Sequence, residues 1–291
     1  MKRLVWFPLL CTGLLLAGCG DTPLPKTLPS EPPIEGTAFT VMGLSLDMLW
    51  CPPGTFQTGS PANENRRDND EVLREVTLTR GFWLGKQEVT QSQWKSVMGT
   101  NPSHFKGPQL PVEKISWDRA KAFCEKLTKR ERKARRLPRG WSYQLPTESQ
   151  WEYACRAGTK TAWSFGDSPK ETPQNANFAD KSSGQDGAQM EYDDGFEFTA
   201  PVGSFPANPW GFHEMHGNVF EWCGDWYENH GPAPVRDPSG PLAGTERIFR
   251  GGCWALPSVF TRSARRDKHR PILESAFVGF RVSLSWAQTQ K

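Results

Sequence analysis

The sequence lacks the features that mark several common protein classes. Its formal net charge is only +3 over 291 residues, which is too small to indicate a partner such as nucleic acid. The basic cluster at 129–136 has no aromatic residues between its charges, so we expect a solvated helix end or loop there. No C-x-x-C pair, P-loop or nucleophile elbow is present, and this removes the usual signals for zinc ribbons, thioredoxin-like redox enzymes, nucleotide hydrolases and α/β-hydrolases.

Internal repeats are also missing, and after the first forty residues there is no low-complexity linker. One domain covering 38–285, with a short tail at 286–291, is therefore the simplest organisation. The 27 Gly and 25 Pro indicate many turns and loops. Thirteen Trp and seventeen Phe supply bulky material for a core.

The first nineteen residues resemble a targeting segment. Lys2 and Arg3 precede an apolar run at 4–16, and L-A-G-C ends at Cys19. The run is shorter than the roughly 20 apolar residues of a membrane-spanning helix, which disfavours the alternative of a transmembrane anchor. We predict a lipoprotein signal peptide at 1–19, with lipidation of Cys19 and a Pro-rich tether at 20–37.

This predicted lipid anchor places the protein at a membrane of the cell envelope, facing the periplasm. Gly20 rather than Asp follows Cys19, and in a Gram-negative cell this favours the outer membrane as a hypothesis. Five cysteines remain after the signal and the anchor, at positions 51, 124, 155, 223 and 253. The compartment permits disulfides, and because five is odd at least one thiol stays free or pairs outside the chain.

Short elements are expected along the first two thirds of the domain. Alternating apolar residues at 56–59 and 72–84 indicate strands, with a polar loop at 63–71 between them. Thr90 and Thr147 each begin a capping-box pattern, and Ser116 precedes an amphipathic segment, so we expect three short helices. The alternation at 277–284 predicts a closing strand. The mixture indicates an α+β domain rather than an alternating α/β one.

The segment at 208–227 stands apart from the rest. It combines three Trp, two Phe, three Gly and three carboxylates in twenty residues. We interpret it as a tight turn, walled by aromatic rings, that gathers carbonyl and carboxylate oxygens. Hard cations such as calcium bind in such places. A buried aromatic turn without a ligand explains the same residues, and composition alone leaves both open.

Six ordered motifs identify a family resemblance that spans roughly residues 50 to 285. Together they closely resemble the formylglycine-generating enzyme, or sulfatase-modifying factor, family. That resemblance implies a variant of the C-type lectin-like fold, with little regular secondary structure and long ordered loops. The motifs are G-K-Q-E-V-T (85–90), P-V-E-K-I-S-W-D-R-A (111–120), L-P-T-E-S-Q-W-E-Y-A-C-R-A-G (145–158), P-W-G-F-H-E-M-H-G-N-V-F-E-W (209–222), R-G-G-C-W (250–254) and G-F-R-V (279–282).

The resemblance also implies two structural calcium sites. In the first, the Asn177 side chain, the Phe178 carbonyl, the Asp194 carboxylate and the Phe196 carbonyl match the family's ligands. The second set lies in the tight turn of the segment 208–227, the glycine-rich turn, where Glu214 stands at a position that is usually Asn. Its further members are the carbonyls of Gly217 and Val219 and the carboxylate of Glu221.

Enzymes of the family hold copper(I) with two cysteines just after the R-G-G motif, since thiolates suit that soft ion. Here Cys253 is the only cysteine in that segment, so copper is not expected and Cys253 is only a weak catalytic candidate. Cys253 with Cys223 forms either an improvised pair or, more simply, a disulfide or two buried thiols. His213 and His216 suggest a metal pair at most weakly, and His104, His230 and His269 are expected to be lone surface residues.

Two functions from different classes remain open. The first is a calcium-stabilised binding or scaffold lipoprotein without the copper site, which binds a peptide or carbohydrate in a cleft lined by Trp210, Trp226, Trp254 and Phe260. The alternative is a formylglycine-generating oxidase or a related copper or non-haem iron enzyme that modifies periplasmic proteins or small thiols. The sequence leaves open whether the chain is an enzyme, because fold alone does not determine function.

Overall fold

The computed structural model describes residues 33–185 and 187–286. The predicted signal peptide, Cys19 and most of the tether lie outside the described residues. The domain is α+β, with three α-helices, short strands and long irregular connections. Among the helices that the structure describes, none has the length and apolar character needed to cross a membrane.

The three helices begin where the capping patterns predict them. Helix α1 (Gln91–Met98) and helix α3 (Glu148–Arg156) each follow a complete capping box, at Thr90 and Thr147. Helix α2 (Trp117–Lys133) is capped by Ser116, whose hydroxyl accepts the amide of residue 119. These side chains satisfy amide groups that a helix N-terminus leaves without partners. Short 3-10 helices also occupy Pro169–Gln174 and Ser258–Thr261.

Twelve short strands are described, and most have five residues or fewer. In chain order they are β1 (Phe39–Val41), β2 (Leu46–Cys51), β3 (Gly54–Thr58), β4 (Arg74–Leu78), β5 (Phe82–Gly85), β6 (Trp141–Gln144), β7 (Phe220–Trp226), β8 (Val235–Arg236), β9 (Arg247–Arg250), β10 (Asp267–His269), β11 (Val278–Gly279) and β12 (Ser283–Trp286). The strands at 56–59 and 72–84 are thereby confirmed, with the polar loop between them.

The strands form three separate sheets. The first is antiparallel in the order β1-β2-β5-β12-β6, so it joins the start and the end of the domain. The second has the order β10-β9-β7-β11, and β11 runs parallel to β7. The third has the order β3-β4-β8, with β8 parallel to β4. Because each sheet is small, the loops between the sheets make up much of the domain.

Two predictions on strands need correction. The single closing strand at 277–284 is wrong, because β11 pairs with β7 whereas β12 pairs with β5 and β6 in a different sheet. Phe280 and Arg281 lie between them and turn inward, both fully buried.

The segment at 208–227 is a turn only in its first half. Its second half is the strand β7. The strand tolerates two carboxylates because Glu221 and Asp225 both have buried hydrogen-bond partners.

Two groups of buried apolar side chains form the core. The larger packs helices α1 and α2 against the five-stranded sheet around Trp94, Phe123 and Phe280. The smaller lies between helix α3 and strands β4, β5, β7 and β9, around Trp151. Aromatic rings in edge and stacked contacts fill the first group, as the composition indicated. The glycine-rich turn before β7 lies at the border of the two groups.

Candidate functional site

The turn before β7 is built on Gly217 and Asn218, both with left-handed backbone angles (φ 83° and 59°). A Cβ on Gly217 would lie 1.9 Å from the Asn177 carbonyl oxygen, so only glycine fits there. The Gly217 amide donates to the Gly251 carbonyl at 2.7 Å, and the Asn218 amide donates to the Asn177 carbonyl at 2.9 Å. Three distant loops therefore meet at this turn.

The Asn218 side chain links the turn to a buried carboxylate. Its Nδ2 donates to Glu88 Oε2 at 2.7 Å, and the Val219 amide donates to Glu88 Oε1 at 3.2 Å. Its Oδ1 accepts from Asn177 Nδ2 at 3.2 Å and from the Ala200 amide at 2.9 Å. The path Glu88–Asn218–Asn177 connects the two residue sets that were expected to bind calcium.

The first set comes together around Asp194. The Asp194 carboxylate accepts the amides of Phe178 at 2.8 Å and Phe196 at 2.9 Å. Asn177 is fully buried, and its Oδ1 has no hydrogen-bond partner among the residues that the structure describes. A buried oxygen without a donor costs about 1–3 kcal/mol, and a cation is a partner that would remove this cost. The first set therefore fits a calcium ion.

Electrostatics at Asp194 agrees with that fit. Burial raises the pKa of Asp194 to about 7, although the amides of Phe178 and Phe196 lower it and the neighbouring Asp180 and Asp193 raise it further. Asp180 is fully buried and accepts the Asp194 amide at 2.6 Å. Among the described residues no arginine or lysine forms an ion pair with Asp194, so a bound cation would relieve the repulsion between these neighbouring carboxylates.

The second set is arranged differently. Glu221 Oε2 accepts Trp151 Nε1 at 2.7 Å and Arg281 Nε at 2.6 Å, and Glu221 Oε1 accepts Arg281 Nη2 at 2.6 Å. The Glu214 carboxylate accepts the Gly203 amide at 2.9 Å. Because Glu221 is already paired with the Arg281 guanidinium, the second set fits calcium poorly in this arrangement. A second calcium ion stays a prediction.

Arg281 balances more acid than one cation can neutralise. Glu88, Glu214 and Glu221 are all buried near it. Burial and the charges of Glu214 and Glu221 raise the pKa of Glu88 well above its ordinary value, and burial raises the pKa of Glu214. In the described part of the chain, however, no three His, Cys, Asp or Glu side chains are grouped so that they could hold a metal ion.

The five cysteines of the described residues are free and buried. Cys253 is 1% exposed and packs in the larger core group, whereas Cys223 packs in the smaller one. Burial raises the pKa of Cys253 to about 12 and that of Cys223 well above its ordinary value. Of the alternatives for these two residues, the structure shows two separate buried thiols.

Three of the histidines have specific contacts in the fold. His216 is buried, with Nδ1 2.7 Å from the Thr261 carbonyl oxygen, and burial lowers its pKa to about 4. His213 Nδ1 instead contacts the Phe205 carbonyl, so these two rings do not converge on one ligand. The expectation of a lone surface residue is wrong for His230, which contacts Glu148 at 3.2 Å and is only 12% exposed.

The four aromatic residues expected to line one cleft have separate contacts. Trp210 contacts Tyr153, Trp226 stacks with Trp117, and Phe260 lies under Arg265. Trp254 lies at the centre of a different group of rings, which we call the aromatic surface cluster. Trp254 itself is only 4% exposed. Its partners Phe198 and Phe277 are 37% and 38% exposed. The members of this cluster are Phe105, Phe198, Trp254 and Phe277.

Several important residues were missed at the sequence level. Glu88 and Arg281 lie within the quoted motifs, but nothing in the sequence pairs them with positions 214–221. Glu148 was expected only to begin a helix. In the structure its carboxylate binds Arg266 at 2.7 Å, and Arg266 and Arg250 hold its pKa well below the ordinary value despite burial. A count of acids and arginines in the motifs is the signal that points to such networks.

The comparisons with known proteins agree on one family. A family model described as the sulfatase-modifying factor enzyme 1-like domain matches residues 41–285. The formylglycine-generating enzyme of Mus musculus is 32% identical over 292 residues, covering 81% of this chain and 74% of the mouse protein. The chaperone protein LppX of Paenibacillus barcinonensis is 31% identical over 240 residues, covering 72% of this chain and 79% of that protein.

A solved structure supports the fold. PvdO from Pseudomonas aeruginosa superposes with a TM-score of 0.73 at 27% identity, covering 87% of this chain and 99% of that chain. The expected α+β fold with few helices, a variant of the C-type lectin-like fold, is thereby confirmed.

Proposed function

Since this chain belongs to the sulfatase-modifying factor enzyme 1-like family, we propose that it is a binding member of that family which has lost the copper-thiolate chemistry. The observation that carries the proposal is the state of the cysteines. All five thiols of the described residues are buried and unpaired, and Cys253 and Cys223 lie in different parts of the core. Copper(I) bound by two thiolates needs two adjacent sulfurs that can lose their protons.

The proposal includes a structural calcium ion at the first set. Asn177 Oδ1, the Asp194 carboxylate and the carbonyls of Phe178 and Phe196 are its ligands. The ion ties together loops that no sheet holds, so it stabilises the folded domain by mass action. The unpartnered Asn177 oxygen and the raised pKa of Asp194 support this assignment.

We further propose that the protein is a lipoprotein of the cell envelope, anchored through Cys19, in which the domain faces away from the membrane. The sequence at 1–19 supports the anchor. The aromatic surface cluster supports a peptide or carbohydrate ligand, because exposed rings stack on sugars and on extended chains. The likeness to a protein described as a chaperone favours a protein ligand.

Native thiol labelling combined with copper(I) titration tests the proposal. We expect a maleimide reagent to leave Cys51, Cys124, Cys155, Cys223 and Cys253 unmodified in the folded protein, as mapped by peptide mass, and to label all five in denaturant. Copper(I) should show no tight site in competition with a chelating dye. Tight binding of one copper(I), lost in Cys253→Ser or Cys223→Ser, would contradict the proposal.

A further inference from the structure

A cavity of about 310 Å³ lies beside the glycine-rich turn, apart from the predicted calcium set around Asp194. Phe165, Phe212 and Met215 give it apolar walls, together with the loop at 206–209. Its size falls at the lower end of the range of about 300–1,000 Å³ that small-molecule sites occupy. The resemblance places one lining residue, Glu214, in the second calcium set, but neither it nor the proposed function assigns a role to the cavity itself.

The polar side of the cavity is formed by Ser164 and His216. The Thr261 carbonyl can only accept, so the 2.7 Å contact places the imidazole proton on Nδ1 of His216. Nε2 is therefore an acceptor, and the Ser164 amide and hydroxyl both approach it, at 3.1 and 3.0 Å. The Ser164 hydroxyl directs its proton to the ring, which leaves its oxygen lone pairs to accept from a ligand.

The other polar groups also leave acceptors. Asn175 turns its amide nitrogen to the Glu171 carbonyl at 2.7 Å, so its amide oxygen remains. Asn208 uses both ends of its amide inside the protein, on Ala154 and Phe212 among others. A ligand in this cavity must therefore bring donors, because the protein offers chiefly oxygen acceptors.

Charge points in the same direction. Glu214 is the only acidic residue lining the cavity, and no lysine or arginine lines it in the described residues. His216 carries a single ring proton there, because its Nε2 accepts the Ser164 amide. Glu214 is 3% exposed, and within the described chain no cationic side chain forms an ion pair with it. Its φ of 49° is in a region that costs a glutamate energy. Its carboxylate accepts the backbone amides of Gly203 and Phe205, but in the described residues no side chain supplies a counter-charge in an ion pair, so a cationic ligand would supply it.

We propose that this cavity binds an organic cation, an ammonium or guanidinium group on an apolar stem, with Glu214 as its counter-charge and Ser164 as a second acceptor. Phe165, Phe212 and Met215 contact the stem. Such a group comes either from a free amine or from a lysine or arginine side chain of a protein. The proposal deepens the proposed binding function, but its test does not depend on thiol chemistry.

Isothermal titration of the full chain in calcium-containing buffer at neutral pH tests the cavity. The probes are butylamine and butylguanidine, with 1-butanol as the neutral match. A charge-assisted hydrogen bond to a buried carboxylate predicts that each cation binds at least about tenfold more tightly than 1-butanol. Glu214→Gln should remove that preference. Glu197→Gln, which changes an exposed carboxylate outside the cavity, should leave it unchanged.

A second variant, which blocks the cavity sterically, distinguishes loss of binding from loss of folding. Ala207 is exposed and lines the cavity, so Ala207→Trp should abolish cation binding while the melting temperature stays near that of the parent. Acetylated Gly-Arg-Gly and Gly-Lys-Gly amides separate the two sources: binding as tight as butylguanidine indicates a protein side chain, and weaker binding indicates a free amine. Equal binding of 1-butanol and the cations, or an unchanged preference in Glu214→Gln, would overturn the proposal. An oxidase activity found elsewhere in the molecule would leave it untouched.

Discussion

Arg281 and Glu221 form a bidentate pair in the centre of the domain, with two N–O distances of 2.6 Å and both side chains essentially buried. The pair joins the loop between β11 and β12 to strand β7. Arg281 also donates to the carbonyls of Gly85 and His213. One guanidinium thus holds together three segments that are distant in the sequence.

Removal of one partner of this pair should destabilise the fold strongly. In Arg281→Met the Glu221 carboxylate stays buried with only Trp151 as a donor, and breaking a buried pair costs about 3–5 kcal/mol. Urea denaturation measures the loss. Arg119→Ala, which breaks the half-exposed pair with Glu274, is the control and should cost less than about 1 kcal/mol. Equal effects of the two substitutions would show that the buried pair is not a main support.

Calcium should raise the melting temperature of the protein, and Asp194→Ala should remove most of that rise. The reason is that Asp194 supplies the only carboxylate of the first set. Asp193→Ala is a matched control, because this neighbour is half exposed and pairs with Lys181. Differential scanning calorimetry with calcium and with chelator makes the comparison. Identical melting of the parent protein in both buffers would contradict the calcium assignment.

The stability of the calcium-free protein should depend on Asp194 between about pH 4 and pH 7. Its pKa is raised to about 7 in the fold, chiefly by burial, and lies near 3.9 in an unfolded chain. The folded chain therefore holds a proton that the unfolded chain has lost, so the contribution of Asp194 to stability is largest at low pH and falls as the pH rises towards 7. Asp225, also raised to about 7, contributes in the same window.

Asp194→Asn isolates the contribution of this one group. In chelator, the variant should lose less stability than the parent protein between pH 5 and pH 7, and denaturant midpoints at several pH values measure the difference. Calcium binding should weaken by about tenfold for each pH unit below about 7, because protons then compete for the carboxylate. Parallel pH profiles for the two proteins would be evidence against the raised pKa.

Gly217→Ala should abolish folding or lower stability severely. The added Cβ would lie 1.9 Å from a backbone oxygen at a residue with φ 83°. Gly195→Ala, with φ 91° but open space, should cost only the backbone term of about 1–2 kcal/mol. Gly231→Ala, with neither constraint, should be close to neutral. Circular dichroism and melting of the three variants test this order, and a well-folded Gly217→Ala protein would refute the close approach.

Local chemistry made part of the fold predictable. The caps at Thr90, Ser116 and Thr147 fix helix starts through contacts within three residues, so the sequence displays them directly. The closing strand failed because period-two alternation at 277–284 is compatible with one strand or with two in different sheets. Only the burial of Arg281 against Glu221, sixty residues away, decides between them.

The candidate site was predictable to a similar extent. Asn177, Asp194 and Gly217 were identified through motif resemblance. The structure places Gly217 against the Asn177 carbonyl and the Asp194 carboxylate on the amide of the next residue, Phe178, and calcium binding by them stays a prediction. The roles of Glu88 and Asn218 depend on a contact across 130 residues, and the cavity at Ser164 and Glu214 depends on loops without any periodic pattern. Neither follows from spacing along the chain. His230 was misjudged for the same reason, since its partner Glu148 is 82 residues away.

The most direct test of the central claim is a turnover assay with a cysteine peptide. The full chain, shown to be folded in calcium, receives copper(I), oxygen and a peptide containing Cys-x-Pro-x-Arg, and peptide mass is followed beside an active formylglycine-generating enzyme. We predict that the peptide mass stays unchanged, because all five thiols of the described residues are buried and none forms an accessible pair for the metal. Conversion of the peptide cysteine to the aldehyde, abolished in Cys253→Ser, would contradict the account.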